Sequence, residues 1–477
     1  MQLLFADQLG PHFELGDRFV LPIVKEQFRK RRYHRQKAHL ILYALRSRAQ
    51  DPRVQAVELE NYRDLLTEDF GITSAVNPTS YPFRQLVSKL GIDVSEARGF
   101  CSSERDWKDY AESAKKLKLE DFYRRQRTRL QILMDEQQPV GGQWNFDDSN
   151  RLPPTKEELV VPGPWLPKED DIDKQVRQEL NELERSGVRF IGKDGPRKFA
   201  GTREQALQAL AHFIENRLDL FGPYEDAVDQ RSWSMSHSLL SAPMNLGLLD
   251  PIEVVRAAEN AYRSGKARLE SVEGFIRQII GWRDYVWHLY WHFGEGYTSN
   301  NSLSANTPLP SFMTELSTES LKANCISHTI SDLSVNAWLH HIPRLMILGN
   351  HSMQRGYVPK EVNDWFIDAF VDGTPWVMPA NTIGMSLYAD GGLMSTKPYA
   401  AGGAYLSKMT NYCSDCPLNP KKRVGEDACP FTAGYWYFLD QNPDLQKNHR
   451  MFNAYAGLRK LTDIEQLREQ EASRNSF

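Results

Sequence analysis

Cysteine is scarce in this chain, with five residues among 477. That number excludes the disulfide framework that small secreted domains use in place of a large hydrophobic core. Long apolar runs are also missing, because no stretch approaches the ~20 residues that a membrane helix needs. The N-terminus, MQLLFADQLG, lacks the basic segment with which a secretory signal begins. Together these absences predict a cytoplasmic protein with no membrane segment.

Neither sign of charge is in large excess, since the formal net charge is only −4. This balance neither suggests nor excludes a nucleic-acid partner, so the local distribution of charge has to be considered. Residues 25–37 (KEQFRKRRYHRQK) carry seven Lys and Arg against one Glu, and residues 123–129 (YRRQRTR) carry four Arg. Runs of this kind are more often solvated helix faces than phosphate-binding surfaces, and we interpret them in that way.

The order of sequence patterns predicts two folded parts. Near the N-terminus, LLFADQLG, RFVLPIV and HLILYALRSRA alternate between strand-like and helix-like patterns, which is typical of an open parallel α/β sheet. Six prolines then interrupt residues 139–167, and apolar residues recur afterwards at three- and four-residue spacing. We therefore predict an α/β domain with a Rossmann-like parallel sheet over residues 1–130, an interdomain linker over 131–195 and an all-α domain over 196–477.

Four of the five cysteines form a pattern that suits metal binding. Cys413, Cys416 and Cys429 have the spacing C-x2-C-x12-C in a polar loop, and Cys325 lies earlier in LKANCISH. Four thiolates can close a tetrahedral zinc site or hold a [4Fe-4S] cluster. The spacing slightly favours zinc, and buried thiols without a metal are a further alternative. Cys101 has the features of an ordinary thiol.

Three other stretches carry residues suited to binding. SMSHSLLSAPMNLGLLDP (234–251) places hydroxyls at a helix start, which suits phosphate, although helix capping alone explains it. GFIRQIIGWRDYVWHLYWHF (274–293) is rich in Trp and His, as a core stripe or a cofactor pocket would be. In WLHHIPRL (338–345), His340 and His341 point about 100° apart on a helix and cannot both be core.

Four motifs, MSHSLLS, EGFIRQIIGWRDY, WLHHIPRLMILGN and GMSLYADGGLMSTKPYAAGGAYL, together resemble the photolyase/cryptochrome superfamily. They are most similar to iron-sulfur bacterial cryptochromes and prokaryotic (6-4) photolyases. The likeness extends from ADQLGP to NHR near residue 450 and includes the four-cysteine spacing. It implies an α/β antenna domain and an all-α domain that binds FAD. It also implies that Cys325, Cys413, Cys416 and Cys429 hold a [4Fe-4S] cluster, so the resemblance favours iron over zinc.

The resemblance further implies roles for individual residues. His341 corresponds to the histidine that donates a proton in (6-4) enzymes, His340 lies beside it, and Tyr399 and Tyr405 match tyrosines of the lesion pocket. The implied FAD contacts are His237, Ser238, Leu239 and Ser241 near the diphosphate, Trp282 and Arg283 at the flavin or lesion side, the charge pair Arg344 and Asp372 beside the isoalloxazine, and Asn381 above it. Asp7 and Gln8 would contact an antenna chromophore, which in this group is usually 6,7-dimethyl-8-ribityllumazine.

Two departures from the family pattern concern electrons and protons at the flavin. Met378 stands where relatives place a polar or acidic residue toward flavin N5, and a thioether cannot take up a proton there. The aromatic electron route of relatives keeps Trp365, but Phe366 follows it and PSFMTELSTES (310–320) contains no tryptophan. Trp338 is therefore a further candidate electron carrier, together with Trp376 and Tyr388.

These expectations describe a monomeric DNA photolyase, a lyase that reverses (6-4) photoproducts in UV-damaged DNA by electron transfer from photoexcited reduced FAD. A cryptochrome-like blue-light photoreceptor without repair activity would share the fold and the cofactor. A cyclobutane-dimer photolyase would not need His341 as an acid. An iron-sulfur DNA-binding module would explain the cysteines and the basic runs, but neither WLHH nor the His/Ser turn. The presence of His341 with both tyrosines favours repair.

Overall fold

The N-terminal part of the chain contains a parallel sheet, as predicted. The computed structural model describes residues 1–155 and 161–477. Five parallel strands are hydrogen-bonded in the order β3-β2-β1-β4-β5. Their bounds are β1 (Gln2–Leu3), β2 (Phe19–Val24), β3 (Val54–Leu59), β4 (Ser74–Val76) and β5 (Asp93–Ser95). The inner strand β2, FVLPIV, is buried throughout, which explains its continuous apolar run.

The strand order reverses between β1 and β4. From β1 the chain continues to β2 on one side and later returns to β4 on the other. Loops that leave adjacent parallel strands in opposite directions open a crevice at the carboxyl edge of the sheet, where ligands commonly bind. Asp7 follows β1 and Thr79 follows β4 at this edge.

Six helices and a short hairpin accompany the sheet. The helices are α1 (Glu26–Lys30), α2 (Arg35–Arg48), α3 (Tyr81–Leu90), α4 (Glu104–Ser113), α5 (Leu119–Leu130) and α6 (Asp171–Arg185), and the hairpin strands are β6 (Met134–Asp135) and β7 (Gln138–Pro139). α6 has 15 residues, lies within the predicted linker and packs against α2. A capping box between Asp170 and Asp173 begins it. The boundaries at 130 and 195 stay a prediction.

The C-terminal part is helical. Its helices are α7 (Arg203–Asn216), α8 (Leu218–Phe221), α9 (Ser241–Asn245), α10 (Pro251–Arg263), α11 (Leu269–Ile276), α12 (Asp284–Phe293), α13 (Ser311–Thr314), α14 (Asn324–Asn336), α15 (Asn350–Gln354), α16 (Pro359–Ala369), α17 (Gly403–Met409), α18 (Pro430–Gln441), α19 (Phe452–Leu458) and α20 (Ile464–Ser473). This arrangement confirms the predicted fold class. No helix in the described residues is both long and apolar enough to cross a membrane.

Three π-helical turns interrupt these helices, at Arg277–Arg283, Pro343–Gly349 and Ala380–Ser386. A π-turn inserts an extra residue and redirects side chains, and such turns are frequent at functional sites. Each of the three contains residues that the sequence assigns to the flavin: Trp282 and Arg283 in the first, Arg344 in the second and Asn381 in the third.

One apolar core is continuous between the sheet and the helices. Leu4, Phe19 and Tyr43 belong to the same cluster of buried side chains as Phe213 and Ile280. A polar contact adds to this connection, because the ammonium of buried Lys37 on α2 donates hydrogen bonds to the carbonyls of Ile367 and Gly373, 2.5 and 2.6 Å away. The sheet therefore supports the segment that leads to Asp372.

Candidate active site

A charged pair lies at the centre of the site. The guanidinium of Arg344 donates two hydrogen bonds to the carboxylate of Asp372, at 2.8 and 3.0 Å, and the hydroxyl of Ser241 donates a third at 2.7 Å. Burial raises the pKa of Asp372, but the charge of Arg344 and these hydrogen bonds lower it further, so its pKa lies below the usual range. The predicted pair is therefore formed, with Ser241 attached to it.

Unpartnered polar atoms surround this pair. The rings of His237 and His340 are stacked, with centroids 4.6 Å apart and planes inclined by 17°. Burial holds the pKa of both histidines well below the ordinary value, so both are neutral. Within the described chain, Nε2 of His237, both ring nitrogens of His340 and the indole N–H of Trp338 have no hydrogen-bond partner. Such orphaned groups are costly unless a ligand satisfies them, so these residues fit a polar cofactor.

Arg217 holds the loop of the His/Ser turn. Its guanidinium is buried and donates to the carbonyl oxygens of Met235 and His237, the latter at 3.0 Å. Burial lowers the pKa of Arg217 to about 10. The same loop contains Leu239, which has a left-handed backbone conformation with φ of 58°, and Ser238. Arg217 was not predicted from the sequence, because no local motif surrounds it.

His341 forms an ion pair that sequence analysis also missed. Its Nε2 lies 3.0 Å from an Oδ1 oxygen of Asp226, and its side chain is 47% exposed. Desolvation lowers the pKa of His341, but the hydrogen bond and the charge of Asp226, with the charge of Glu225, outweigh it and raise the pKa. His340 is buried, so only one of the two histidines faces solvent, as expected. His341 therefore has a carboxylate partner.

The two predicted tyrosines lie on the same rim as His341. Tyr399 is 43% exposed, and Tyr405 is half-buried. Burial raises the pKa of Tyr405 to about 12, with a further contribution from the charge of Asp226. Arg151 also approaches Asp226, with 4.0 Å between its Nε and the carboxylate. We call His341, Asp226, Tyr399, Tyr405 and Arg151 the rim.

Arg283 lies deeper, between aromatic rings. Its guanidinium carbon is 4.7 Å from the centroid of Phe100 and 4.9 Å from that of Trp376. Burial lowers the pKa of Arg283 to about 10, and its Nε and one terminal nitrogen lack partners in the described residues. Trp282 packs against the cluster that contains Trp376. Trp282 and Arg283 therefore lie at an apolar position, where two nitrogens of the Arg283 guanidinium lack hydrogen-bond acceptors within the described chain.

The other two residues assigned near the flavin lie in or beside the third π-turn. The side-chain amide of Asn381 donates to the carbonyl of Val377 at 2.8 Å, and Met378 is buried. Of the electron carriers, Trp365 and Trp338 are both buried, and the indole of Trp365 donates to the carbonyl of Met313 at 2.9 Å. Trp365 contacts the rings of Phe366 and Phe370, whereas Trp338 contacts the ring of Trp233.

Asp7 and Gln8 lie at the crevice where the strand order reverses. The hydroxyl of Thr79 donates to the carboxylate of Asp7 at 2.5 Å, and the amide of Gln8 donates to the carbonyl of Val76 at 3.3 Å. Burial raises the pKa of Asp7. In the described part of the protein, one carboxylate oxygen of Asp7 and the amide oxygen of Gln8 are buried without a donor. Two orphan acceptors therefore point to a ligand with N–H or O–H donors.

Four cysteines gather in the C-terminal core. Burial raises the pKa of Cys325 well above its usual value, and the charges of Cys429, Cys413 and Cys416 raise it further, so all four thiols are near one another. The amide of Asn324 donates to the carbonyl of Tyr412 at 3.4 Å and joins the two cysteine segments. Cys101 is buried elsewhere, beside Asp284.

Four thiols gathered in one place can hold a zinc ion or a [4Fe-4S] cluster. In the described residues, the sets of three or more His, Cys, Asp or Glu ligand atoms that lie within 4.8 Å of one another are His237, His340 and His341, and His39, Glu169 and Asp173.

Comparison with known proteins identifies the family. The chain is 42% identical over 368 residues to a protein of Agrobacterium fabrum named (6-4) photolyase, which covers 77% of this chain and 71% of that protein. This chain belongs to the photolyase/cryptochrome superfamily. Residues 3–198 match the family model described as deoxyribodipyrimidine photo-lyase-related protein.

Solved structures agree on the fold. A bacterial class III photolyase from Agrobacterium tumefaciens superposes with a TM-score of 0.57 and 17% identity, over 96% of this chain and 98% of that chain. A cryptochrome from Synechocystis sp. PCC6803 superposes with a TM-score of 0.55 and 12% identity, over 99% and 94%. At these identities the likeness concerns the fold, and function has to be argued from the site.

Proposed function

We propose that this protein is a light-driven DNA repair enzyme that reverses (6-4) pyrimidine photoproducts in UV-damaged DNA, and that it is a cytoplasmic monomer with FAD as its catalytic cofactor. The observation that carries the proposal is the ion pair of His341 and Asp226, which stands at an open rim beside buried, unpartnered polar groups. The family relative named (6-4) photolyase supports the same lesion.

The buried groups fit FAD. His237, Ser238, Leu239 and Ser241 would hold the diphosphate side, Arg344 and Asp372 the isoalloxazine, and Trp282, Arg283 and Asn381 its surroundings. Bound FAD in its reduced state supplies one electron to the lesion under blue or near-UV light. Asp372 is kept ionised by Arg344, so the pair adds fixed, opposite charges without adding net charge to the site.

The rim residues supply the proton. A (6-4) lesion that has gained an electron must be protonated before the electron returns, and a general acid contributes about 10² to 10⁴-fold to such a step. Asp226 raises the pKa of His341 and so favours the imidazolium, the form that can donate a proton. Tyr399 and Tyr405 orient the damaged bases, which must leave the duplex to reach this depth.

Cys325, Cys413, Cys416 and Cys429 are proposed to hold a [4Fe-4S] cluster. The family resemblance favours a cluster over zinc, and cysteine thiols lose their protons when they bind iron. The crevice at Asp7 and Gln8 is proposed to hold the antenna, because its two orphan acceptors suit a heteroaromatic chromophore with N–H or O–H donors, such as 6,7-dimethyl-8-ribityllumazine. Iron and acid-labile sulfide analysis, and the chromophores released on denaturation, test both assignments.

Repair itself is tested with two oligonucleotides, one with a single (6-4) photoproduct and one with a single cyclobutane dimer. Protein with chemically reduced flavin should restore the first under blue light and not in the dark. Restoration of the second alone would favour a cyclobutane-dimer photolyase. Restoration of neither, by protein whose visible spectrum shows flavin, would favour a cryptochrome-like photoreceptor.

A further inference from the structure

The aromatic route expected from the family ends inside this protein. The rings in contact with Trp365 are Phe366, at 5.1 Å between centroids, and Phe370, at 6.0 Å. Phenylalanine is far harder to oxidise than tryptophan or tyrosine, so it does not relay an electron hole. Met313, which accepts the indole N–H of Trp365, lies in the segment that contains no tryptophan. Trp365 is therefore not continued toward the surface by a second tryptophan in that segment.

A second tryptophan pair connects the flavin side with the surface. Trp338 is 5% exposed, and its ring centroid lies 6.2 Å from that of His237. Its ring also lies 5.8 Å from the guanidinium of Arg344. On its other side, the centroid of Trp233 is 5.7 Å away in an edge-to-face contact. Trp233 is partly exposed, so these two rings bridge the interior and solvent.

We propose that Trp338 and Trp233 form the electron relay that reduces the flavin under light. The inference rests on the proposed function, because it requires FAD at the site of His237 and Arg344. The rate of electron transfer falls steeply with distance. Two oxidisable rings in contact are therefore favoured over Trp365, whose neighbouring rings in the described residues are the phenylalanines Phe366 and Phe370.

Each turn of the relay moves one electron to the flavin and one proton from Trp233 to water. Trp338 gives one electron to the photoexcited oxidised flavin, and Trp233 then gives one electron to Trp338. Trp233 loses its indole proton to water and becomes a neutral radical. A thiol in solution returns one hydrogen atom to Trp233, and the thiol is oxidised. In a second turn the half-reduced flavin is the acceptor, so two turns supply two electrons, and water supplies the proton that fully reduced flavin carries.

Solvent access favours movement of the hole outward. Trp338 is 5% exposed and Trp233 is partly exposed, so water can accept the indole proton of an oxidised Trp233 more readily than that of an oxidised Trp338. The positive charge of Arg344 near Trp338 is offset by Asp372. At Trp233 the ammonium of Lys198 lies 5.7 Å from the ring. This cation disfavours a positively charged ring, so oxidation of Trp233 is coupled to loss of its indole proton.

Another set of tryptophans provides a rival route. Trp376 lies 6.0 Å from Trp287, which lies 5.3 Å from Trp291. Both ends of this set face arginines, because Arg283 is 4.9 Å from Trp376 and Arg84 is 3.5 Å from Trp291. Cations also lie near Trp338 and Trp233, so charge does not separate the two routes. The number of transfers does, because this set needs two transfers between rings to reach partly exposed Trp291, whereas Trp338 reaches partly exposed Trp233 in one. Trp287→Phe breaks the rival route and serves as a control.

The experiment is time-resolved absorption of the FAD-loaded protein with oxidised flavin, in the presence of a thiol. Trp338→Phe should lengthen the excited-state lifetime of the flavin, because the first electron donor is gone. Trp233→Phe should leave that lifetime unchanged but shorten the lifetime of the tryptophan radical and lower the rate of photoreduction severalfold. Trp233→Tyr should restore part of the photoreduction, because tyrosine can lose an electron and a proton. Trp365→Phe and Trp287→Phe should behave like the parent.

A parent-like radical lifetime and photoreduction rate in Trp233→Phe would overturn the relay, and so would a comparable loss in Trp287→Phe or Trp365→Phe. Flavin that is first reduced chemically bypasses the relay. Under that condition Trp233→Phe should repair at the parental rate. If the parent protein did not repair the lesion with chemically reduced flavin, the proposed function would be contradicted. The lifetime of the tryptophan radical would still test the relay, because it does not depend on repair.

Discussion

The imidazole of His341 and the carboxylate of Asp226 lie 3.0 Å apart, although 115 residues separate them in the chain. The carboxylate favours the imidazolium, and the pKa of His341 is raised in spite of its desolvation. Asp226 is in turn kept ionised, since the hydrogen bond and charge of His341 lower its pKa against the effect of burial. The pair therefore favours a protonated His341 at the rim.

Asp226→Asn should shift the pH dependence of repair. A raised folded pKa means that His341 is protonated below that pKa and that activity falls as the pH rises through it. Without the carboxylate the pKa of His341 falls, so the declining limb moves to lower pH and repair at neutral pH drops severalfold. Initial repair rates with chemically reduced flavin across a pH series measure this shift.

Asp219→Asn is the matched control for this experiment, because Asp219 pairs with exposed Arg268. Its pH profile should equal that of the parent. An unchanged profile in Asp226→Asn would show that the carboxylate does not set the protonation of His341.

Glu225→Gln should stabilise the protein at alkaline pH. Burial raises the pKa of Glu225 from 4.5 to about 7, so its contribution to stability is fully present below pH 4.5 and is lost as the pH rises through about 7. The loss is on the order of 2 to 3 kcal/mol. Glutamine keeps an oxygen to accept from Gln278, which donates to Glu225 at 2.9 Å. Denaturant unfolding at several pH values should show a gain that grows from acid to alkaline pH.

Exposed Glu215 provides the comparison, since Glu215→Gln should change stability equally little at every pH. A difference between Glu225→Gln and the parent that does not change with pH would contradict the raised pKa.

Substitution of a cluster cysteine should remove iron. Cys416→Ala takes away one of four thiols that join α14 to the loop before α18, and structural metal binding is part of the folding free energy of such a region. We expect a loss of iron and of the broad visible absorbance, with less soluble protein. Cys101→Ala should keep both, because Cys101 lies beside Asp284. Zinc in place of iron in anaerobically purified parent protein would refute the cluster.

The basic run at residues 25–37 should contribute little to DNA binding. Its exposed cations already face carboxylates: Arg29 pairs with Glu60, Lys30 with Glu26 at 2.7 Å and Arg32 with Glu315 at 2.9 Å. The triple change of these cations to Gln should leave the affinity for damaged duplex nearly unchanged. Arg151 is also paired, with Asp147, but it lies at the rim, where the phosphates beside a flipped lesion would be. Arg151→Gln should therefore weaken binding and reduce the slope of log affinity against log salt by about 1.

The binding measurement is a titration at several salt concentrations. If the triple variant lost affinity and salt dependence while Arg151→Gln did not, DNA would lie on the N-terminal part rather than at the rim.

Local patterns in the sequence predicted the parallel sheet and the helical second part, because both depend on periodicity. They did not predict α6. The acidic residues that begin it were read as part of the proline-rich linker, although Asp170 and Asp173 form a capping box and Val176 and Leu180 are buried. A cap followed by an apolar stripe predicts a helix. The prolines before α6 led instead to its assignment to the linker.

The site was only partly predictable for a different reason. Arg344 and Asp372 were expected together through the family resemblance, and they form the pair. Asp226 and Arg217 were missed because each acts through contacts made by tertiary folding, and FGPYEDAVDQ has no local feature that marks a catalytic acid. The contact of Trp233 with Trp338 is likewise set by tertiary packing, since 104 residues lie between them in the chain.

The central claim is tested most directly by repair of a defined (6-4) oligonucleotide by His341→Ala, with chemically reduced flavin and under illumination. His340→Ala is the matched comparison, since His340 is buried against His237 and acts through packing. We predict that His341→Ala keeps flavin, iron and damaged-DNA binding but loses repair by about 10² to 10⁴-fold, while His340→Ala loses less. Repair by His341→Ala at the quantum yield of the parent would contradict the account.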